Sequence, residues 1–363
     1  MAPSKDSSSV LNFALIGCGR ISEKHLTALT SGKLPAKLIA VADIDESKAK
    51  AKGEKYGVPH YRDYHEMLDA HPEVDVISVL TPSGYHVDHV VDLARYGKNI
   101  LVEKPMALRV EHCDAMIEAC RKNGCRLFVV KQNRFNPAVV AARKALEDSR
   151  FGKMVMATVC VRWRRDQAYY DQAAWRGTWA LDGGVLSQQA THHLDLMQWF
   201  MGPVETVQCQ AATRLMNIEA EDTAAAILKF KSGALGIFEA TVATRPKDMC
   251  GTMSLLGEGG SVVVGGIAVN EIAHWEFEKK RPEDADMRKT HSQQVASVYG
   301  NGHEPYIATV IDAIRNNRPG LVEGAEGKKS IEILTALYES AALGGAPVVP
   351  GQPITHARIG LRQ

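Results

Sequence analysis

The chain has 363 residues, 45% of them hydrophobic and 23% charged, and its 43 basic and 42 acidic residues leave a formal charge of +1. That length suits two domains of roughly 150 residues each. The charge balance excludes the basic surface of a nucleic-acid binder, and no apolar run is long enough to span a membrane. The seven cysteines contain no CxxC pair, which predicts free thiols, a reducing cytoplasm and no metal site.

Residues 1–9 are polar and lack an apolar core, so they read as a disordered tail and not as a signal peptide. Leu11–Ile16 reads as a buried strand, followed by Gly17-Cys18-Gly19-Arg20-Ile21-Ser22 and a helical pattern through Leu26 and Leu29. Gly17 permits a tight turn and Gly19 lets backbone N–H groups approach a pyrophosphate. Arg20 and Ile21 open the helix, whose N-terminus favours an anion. Ser22 stands where GxGxxG has its third glycine, and it is small enough for close helix–strand packing. A glycine turn also ends ordinary strands, so its neighbours must decide.

Leu38–Ala42 is the next strand, ending at Asp43, with a helix over Glu46–Tyr56. Asp43 falls close to the spacing of a ribose-binding carboxylate. It would accept bonds from the ribose hydroxyls and repel a 2′-phosphate, and Ile44 beside it offers no cation, so Asp43 argues for NAD over NADP. A plain strand-end cap is the other reading of Asp43. Val74–Leu80 leads to Thr81 and Pro82, then a helix over His86–Tyr96, then Ile100–Val102 and Glu103-Lys104-Pro105. Carboxyl ends of parallel strands face the ligand. Thr81, Pro82, His86, Glu103 and Lys104 therefore join the cofactor set, with Pro105 a candidate cis proline. A helix over Val110–Lys122 and a strand over Arg126–Val130 complete a parallel Rossmann sheet, bounding an NAD-binding domain at 10–131.

From 132 to 363 the grammar changes to a second domain. After a helix over Ala138–Glu147, the strands Met154–Val161, Val204–Thr213, Thr223–Phe230, Ala234–Ala243, Gly251–Leu256 and Ser261–Val264 follow with few helices between them. This is an α+β domain with a large, open, mostly antiparallel sheet, and such a face is commonly covered by another subunit, so a homo-oligomer is expected, tetramer favoured. Helical patterns near Pro305–Asn316 and Lys328–Leu343 close the chain. Gly183–Met201 reads as one helix. Its wheel places His193 with Leu186, Ala190, Met197 and Met201, and His192 on a polar stripe with Gln188, Asp195 and Trp199. His193 is thus a packing residue. His192 is either solvated or functional, and the spacing does not suit zinc.

The Gly17–Ser22 turn, the Glu103-Lys104-Pro105 turn and the Gly183–Asp195 segment together resemble the glucose–fructose oxidoreductase/inositol dehydrogenase family over roughly residues 10–345. The resemblance implies a Rossmann domain, an α/β partner domain, and hydride transfer between a nicotinamide and a sugar carbon. By it Lys104 and His192 match the catalytic lysine and histidine. Gln188 stands where many members carry Asp, and Gln cannot accept a proton. Whether His192 or Lys104 is the base stays open.

Three stretches, Gln132–Pro137, Ser187–His193 and Asn301–Tyr306, resemble the UDP-N-acetylglucosaminuronate 3-dehydrogenase branch. That likeness implies a UDP-sugar substrate oxidised at C3, a role in surface (lipo)polysaccharide synthesis, and 2-oxoglutarate as a candidate hydride acceptor. Such a substrate carries a diphosphate and a carboxylate. The implied substrate set is Lys104, Arg164, Arg165, Tyr169, Gln188, Gln189, His192, His303 and Tyr306, and Gln132, Trp175 and Arg176 complete the cofactor set. Arginine holds carboxylate or phosphate through paired donors, although an exposed charged strand end reads the same way. Another sugar or inositol, or a non-catalytic NAD-binding sensor, are the alternatives; Lys104 and His192 favour the enzyme.

Overall fold

The computed structural model describes residues 10–295 and 297–362, so the expected tail at 1–9 lies outside the described residues. The chain forms two compact units, one holding the residues up to Lys131 together with His303–Lys328, the other Gln132–Gly302 together with the residues from Lys329 onward.

In the first unit β1 (Leu11–Ile16), α1 (Ser22–Thr30), β2 (Ala36–Ala42), α2 (Glu46–Tyr56), β3 (His60–Tyr61), α3 (Tyr64–Ala70), β4 (Val76–Val79), α4 (His86–Leu93), β5 (Asn99–Val102), α5 (Val110–Lys122) and β6 (Leu127–Val129) alternate. The six strands are all parallel, in the order β3-β2-β1-β4-β5-β6. Parallel strands are covered on both faces, which is why β1, β4 and β5 read as continuous apolar runs. Asp45 caps α2 by accepting from the Ser47 N–H, and Gly57 ends it at φ 66°. The short β3 and α3 leave no period in the sequence.

The second unit contains α6 (Pro137–Glu147), β7 (Met154–Arg162), α7 (Gln167–Tyr170), α8 (Val185–Gln188), α9 (Thr191–Met201), β8 (Val204–Ala212), β9 (Thr223–Phe230), β10 (Leu235–Thr241), β11 (Cys250–Gly257), β12 (Gly260–Gly265), β13 (Glu271–Phe277) and α10 (Met287–Thr290). Its seven strands run β13-β12-β11-β7-β10-β9-β8. Only β7 and β10 pair in parallel; the other neighbours are antiparallel. Along β7 the buried Ala157, Val159 and Val161 alternate with more exposed residues, and α9 packs on β7 and β11. On the other face, Ile227 pairs with Ile237 across β9 and β10, and Leu235, Met156 and Leu256 form a second rung across β10, β7 and β11. Ile227, Leu235, Ile237 and Leu256 are exposed.

Two expectations are corrected here. The single helix over Gly183–Met201 is two: the Ala190 N–H bonds back to the Val185 carbonyl at 2.8 Å, which closes α8 before α9 begins. The second domain also does not keep everything after residue 131. The helix α11 (His303–Arg315) and the start of α12 (Gly324–Ala342) return to the parallel unit. There the Val129 N–H bonds the Val322 carbonyl, Phe128 bridges Glu323, and the Tyr306 hydroxyl donates to the Val129 carbonyl at 2.6 Å. These contacts cover the β6 edge, which would otherwise be an open template. An amphipathic helix carries no label for the sheet it will cover, so the pattern could not show the return. Among the described residues no helix is long and apolar enough to cross a membrane.

Glu221 anchors α8. Its carboxylate accepts from the Leu186 N–H and the Tyr338 hydroxyl, both at 2.9 Å, and Gly184 leaves no room for a Cβ beside its carbonyl. Burial pushes the Glu221 carboxyl up to about 7. A carboxyl raised on folding contributes stability that is full below its unfolded value near 4.5 and lost as pH rises through about 7. Glu221→Gln should therefore flatten the pH dependence of thermal melting between pH 5 and 8, melting near or below the wild type at pH 5 and above it at pH 8.5. Equal slopes for the two proteins would contradict the assignment.

Candidate active site

At the end of β1, Gly17 has φ +96°, and a Cβ on it would lie 2.7 Å from the backbone of Leu80. The protein itself demands this glycine. A Cβ on Gly19 would meet nothing within 4 Å, so what Gly19 preserves is open space above the turn. Ser22 is buried and its hydroxyl donates to the Gly19 carbonyl at 2.7 Å, so the residue replacing the third glycine holds the turn closed. No side chain caps α1. A helix start without a cap, below a glycine that fills no space, fits a dinucleotide pyrophosphate.

The Asp43 carboxylate accepts from the Cys18 N–H at 2.7 Å through Oδ2 and from the Asp45 N–H at 2.9 Å through Oδ1. Each oxygen has a further lone pair, so the cap and the ribose ligand are compatible roles. Ile44 is 83% exposed beside it.

At the end of β5 the Lys104–Pro105 bond is cis. Glu103 is buried beneath this turn. Its Oε2 accepts from the Lys104 N–H at 2.9 Å, while Oε1 lies 2.9 Å from His25 Nε2 and 3.4 Å from His303 Nε2. Burial raises the Glu103 carboxyl, but the hydrogen bond to His25 and the nearby His303 ring outweigh it and hold the group well below its usual value. His86 is buried with Nε2 at 2.9 Å from the Thr81 carbonyl and Nδ1 at 2.9 Å from the Pro105 carbonyl. Glu103 and His86, expected to contact cofactor, thus brace the turns that carry Thr81, Pro82 and Lys104. His303 and Tyr306, expected at the substrate, are buried inside the first unit, His303 against Glu103 and Tyr306 against the Val129 carbonyl. Both are corrected to internal roles: a buried ring held this way presents no edge to a ligand.

In the second unit the polar stripe of α9 is covered, not solvated. Gln132 Nε2 lies 3.0 Å from His192 Nε2. Two residues on, Arg134 forks onto Asp195 with two bonds of 2.8 Å, both side chains being at most 2% exposed. The Trp199 ring carries the Arg134 and Arg143 guanidinium groups at 4.7 and 4.6 Å. Gln132, expected at the cofactor, meets His192 through its amide nitrogen. Gln188 is half-buried and Gln189 buried in the turn preceding His192. His193 is fully buried, edge-on to Trp163 at 5.7 Å, and burial pushes its imidazole down to about 4, so it packs as a neutral ring. The arginines diverge. Arg162 pairs with Glu239, Arg164 with Asp166 and Arg165 with Asp248, and Arg165 and Arg176 also hold the Tyr169 ring at 5.2 and 4.2 Å. Trp175 lies 5.6 Å from the Arg176 guanidinium.

The Gfo/Idh/MocA oxidoreductase family matches this chain twice: its NAD-binding Rossmann fold over residues 11–131 and its C-terminal alpha/beta domain over residues 143–349. The WlbA dehydrogenase of Bordetella pertussis, solved with NADH and UDP-GlcNAcA, is 39% identical with a TM-score of 0.87, covering 95% of this chain and 99% of that one. The WlbA dehydrogenase of Chromobacterium violaceum, with the same two ligands, is 41% identical at a TM-score of 0.87, covering 98% of each chain. The myo-inositol 2-dehydrogenase of Thermotoga maritima is 26% identical over 330 residues, 88% of this chain and 93% of the relative.

Asp43 yields a test of cofactor choice. The double substitution Asp43→Ser, Ile44→Arg removes two acceptors and supplies a cation for a 2′-phosphate. It should weaken NAD about tenfold, the equivalent of about 1.4 kcal/mol, and improve NADP in fluorescence titration. A wild-type protein that binds both equally would refute the role of Asp43.

Proposed function

The chain belongs to the Gfo/Idh/MocA oxidoreductase family and is an NAD-dependent dehydrogenase, and on that premise we propose that it oxidises the C3 hydroxyl of UDP-N-acetylglucosaminuronic acid to the 3-keto sugar. The observation that carries this reading is the likeness, along nearly the whole chain, to two dehydrogenases solved with NADH and UDP-GlcNAcA.

NAD, when bound, supplies the hydride acceptor at its nicotinamide ring. His192 takes the hydroxyl proton. With the Gln132 amide donating to Nε2, the proton sits on Nδ1 and the single lone pair of Nε2 is engaged, so the substrate hydroxyl must displace the Gln132 amide before Nε2 acts as base. Lys104 donates to the reacting oxygen and stabilises negative charge developing on it. Arg164, Arg165, Tyr169, Gln188 and Gln189 are the groups proposed for the sugar nucleotide. Of these, Arg165 stands beside the Tyr169 ring with its Nη1 donating to the Arg164 carbonyl and to Asp248, so a substrate carboxylate or phosphate would compete with Asp248 for it. The exposed apolar rungs of the seven-stranded sheet support a homo-oligomer, with the tetramer preferred. The proposed setting is cytoplasmic surface-polysaccharide synthesis, with 2-oxoglutarate reoxidising the cofactor.

A second reading, oxidation of inositol, is favoured by the inositol 2-dehydrogenases of Rhizobium meliloti and Thermotoga maritima among the relatives. NADH formation with UDP-N-acetylglucosaminuronate, UDP-N-acetylglucosamine, glucose and myo-inositol separates the two, with 2-oxoglutarate added so that tightly held NADH cannot hide turnover. The UDP-uronate should react fastest. Efficient oxidation of myo-inositol with no reaction or binding of the UDP-uronate would overturn the substrate.

The two histidines give a sharper internal control. A positioned base contributes about 10²–10⁴-fold, so His192→Asn should cut turnover by that order with NAD affinity near normal. His193→Asn should act through thermal stability. Loss of turnover in a folded His193→Asn protein, with His192→Asn active, would reverse the assignment.

A further inference from the structure

Among the buried ionisable side chains of the first unit, three cluster together. His25 comes from α1, Glu103 from the end of β5 and His303 from the first residue of α11. All three are at most 3% exposed. A carboxylate at such depth costs several kcal/mol unless it is fully paired, and an apolar trio of the same volume is often at least as stable. Packing alone therefore does not account for it. What the cluster does hold is specific: one oxygen of Glu103 takes the Lys104 N–H at 2.9 Å, and the other takes His25 at 2.9 Å with His303 at 3.4 Å. The two rings stand edge to face at 5.5 Å, so neither can turn without disturbing the other. On the far side of the turn, the buried His86 ring lies between the Pro105 and Thr81 carbonyls, 2.9 Å from each, and as a neutral ring donates to one of them. The backbone around Lys104 is thus held at its own N–H by Glu103 and flanked at the Pro105 carbonyl by His86.

We propose that Glu103, locked between His25 and His303, is the positioning residue of Lys104: its carboxylate fixes the Glu103–Lys104 peptide and so aims the ammonium group. This rests on the catalytic role given to Lys104 above. An error of about 1 Å in a reacting group can cost about 10²-fold, so a buried carboxylate used as a backbone clamp has a functional return that its stability cost does not predict.

The test is a double-mutant cycle on the full-length enzyme, reading single-turnover reduction of NAD by UDP-N-acetylglucosaminuronate. Glu103→Gln keeps the shape but removes the charge and one acceptor. It should slow hydride transfer about tenfold or more while NAD affinity changes by less than about twofold. Placed in the Lys104→Ala background it should slow the reaction no further, because the group it aims is gone. An equal loss in both backgrounds would mean that Glu103 serves the fold and not Lys104, and would overturn the proposal. A silent Lys104→Ala would instead sink the catalytic role of Lys104 itself, and an impaired Lys104→Ala with a silent Glu103→Gln would sink only the positioning role. Should Glu103→Gln fail to fold, His303→Ala is read in the same cycle, with His303→Gln expected to restore the rate because an amide can still donate to Glu103. The same three side chains resemble a metal donor set, so stoichiometric zinc in the purified enzyme, removed by a chelator together with activity, would also overturn it.

Discussion

A sheet whose six strands are all parallel presents every carboxyl end on one edge, and the chemistry of the first unit follows from that constraint. The Gly17 turn, Asp43, Thr81 and Glu103–Lys104 come from four separate strand ends. Each is shaped by a neighbour at the same edge: the Gly17 backbone by Leu80, the Cys18 N–H by Asp43, and Thr81 and Pro105 jointly by His86. Strand ends leave N–H groups and carbonyls without ladder partners, so side chains that can bond backbone accumulate there. The candidate ligand-facing groups sit on turns that those side chains hold.

The second unit solves a different problem, that of putting charged and polar groups on a helix packed against a sheet. α9 is buried over nearly its whole surface. Arg134 and Asp195 neutralise each other through two parallel bonds, which a lysine could not reproduce. Gln132, on the same short segment, then meets His192 one turn earlier on the helix. Two rungs of unlike chemistry hold the helix in register, one by charge and one by an amide that also chooses the histidine tautomer. Glu221 does comparable work at α8, accepting from the N–H of Leu186 near the helix start, and its raised carboxyl reflects the burial this requires.

The parts of the candidate site that lie close together in sequence have a local geometry that the sequence shows. Gly17 with Gly19, Asp43 with Ile44, and the Glu103-Lys104-Pro105 turn carry their geometry locally, because a strand end and its following turn are determined within a few residues. The separation of His192 from His193 was legible too, since adjacent helical residues point about 100° apart whatever surrounds them. Where the reading failed, the missing information was a partner distant in the chain. Tyr306 and His303 look like ligand groups in a polar motif, yet their partners are Val129 and Glu103. Gln132 looks like part of a connector, yet it bonds a residue sixty positions on.

Strand periodicity, the glycine turn and the break in grammar after Lys131 belong to the sequence alone: they determine a parallel dinucleotide-binding unit followed by a mixed sheet. Only the tertiary structure decided that the helix beginning at His303 returns to close the β6 edge, that Gly183–Met201 breaks into two helices against Glu221, and which buried polar atoms meet. The physical reason is the same in each case. Apolar periodicity records that a face will be buried but not against what, whereas a buried hydrogen bond exists only when both partners arrive, and nothing in either residue's neighbourhood names the other.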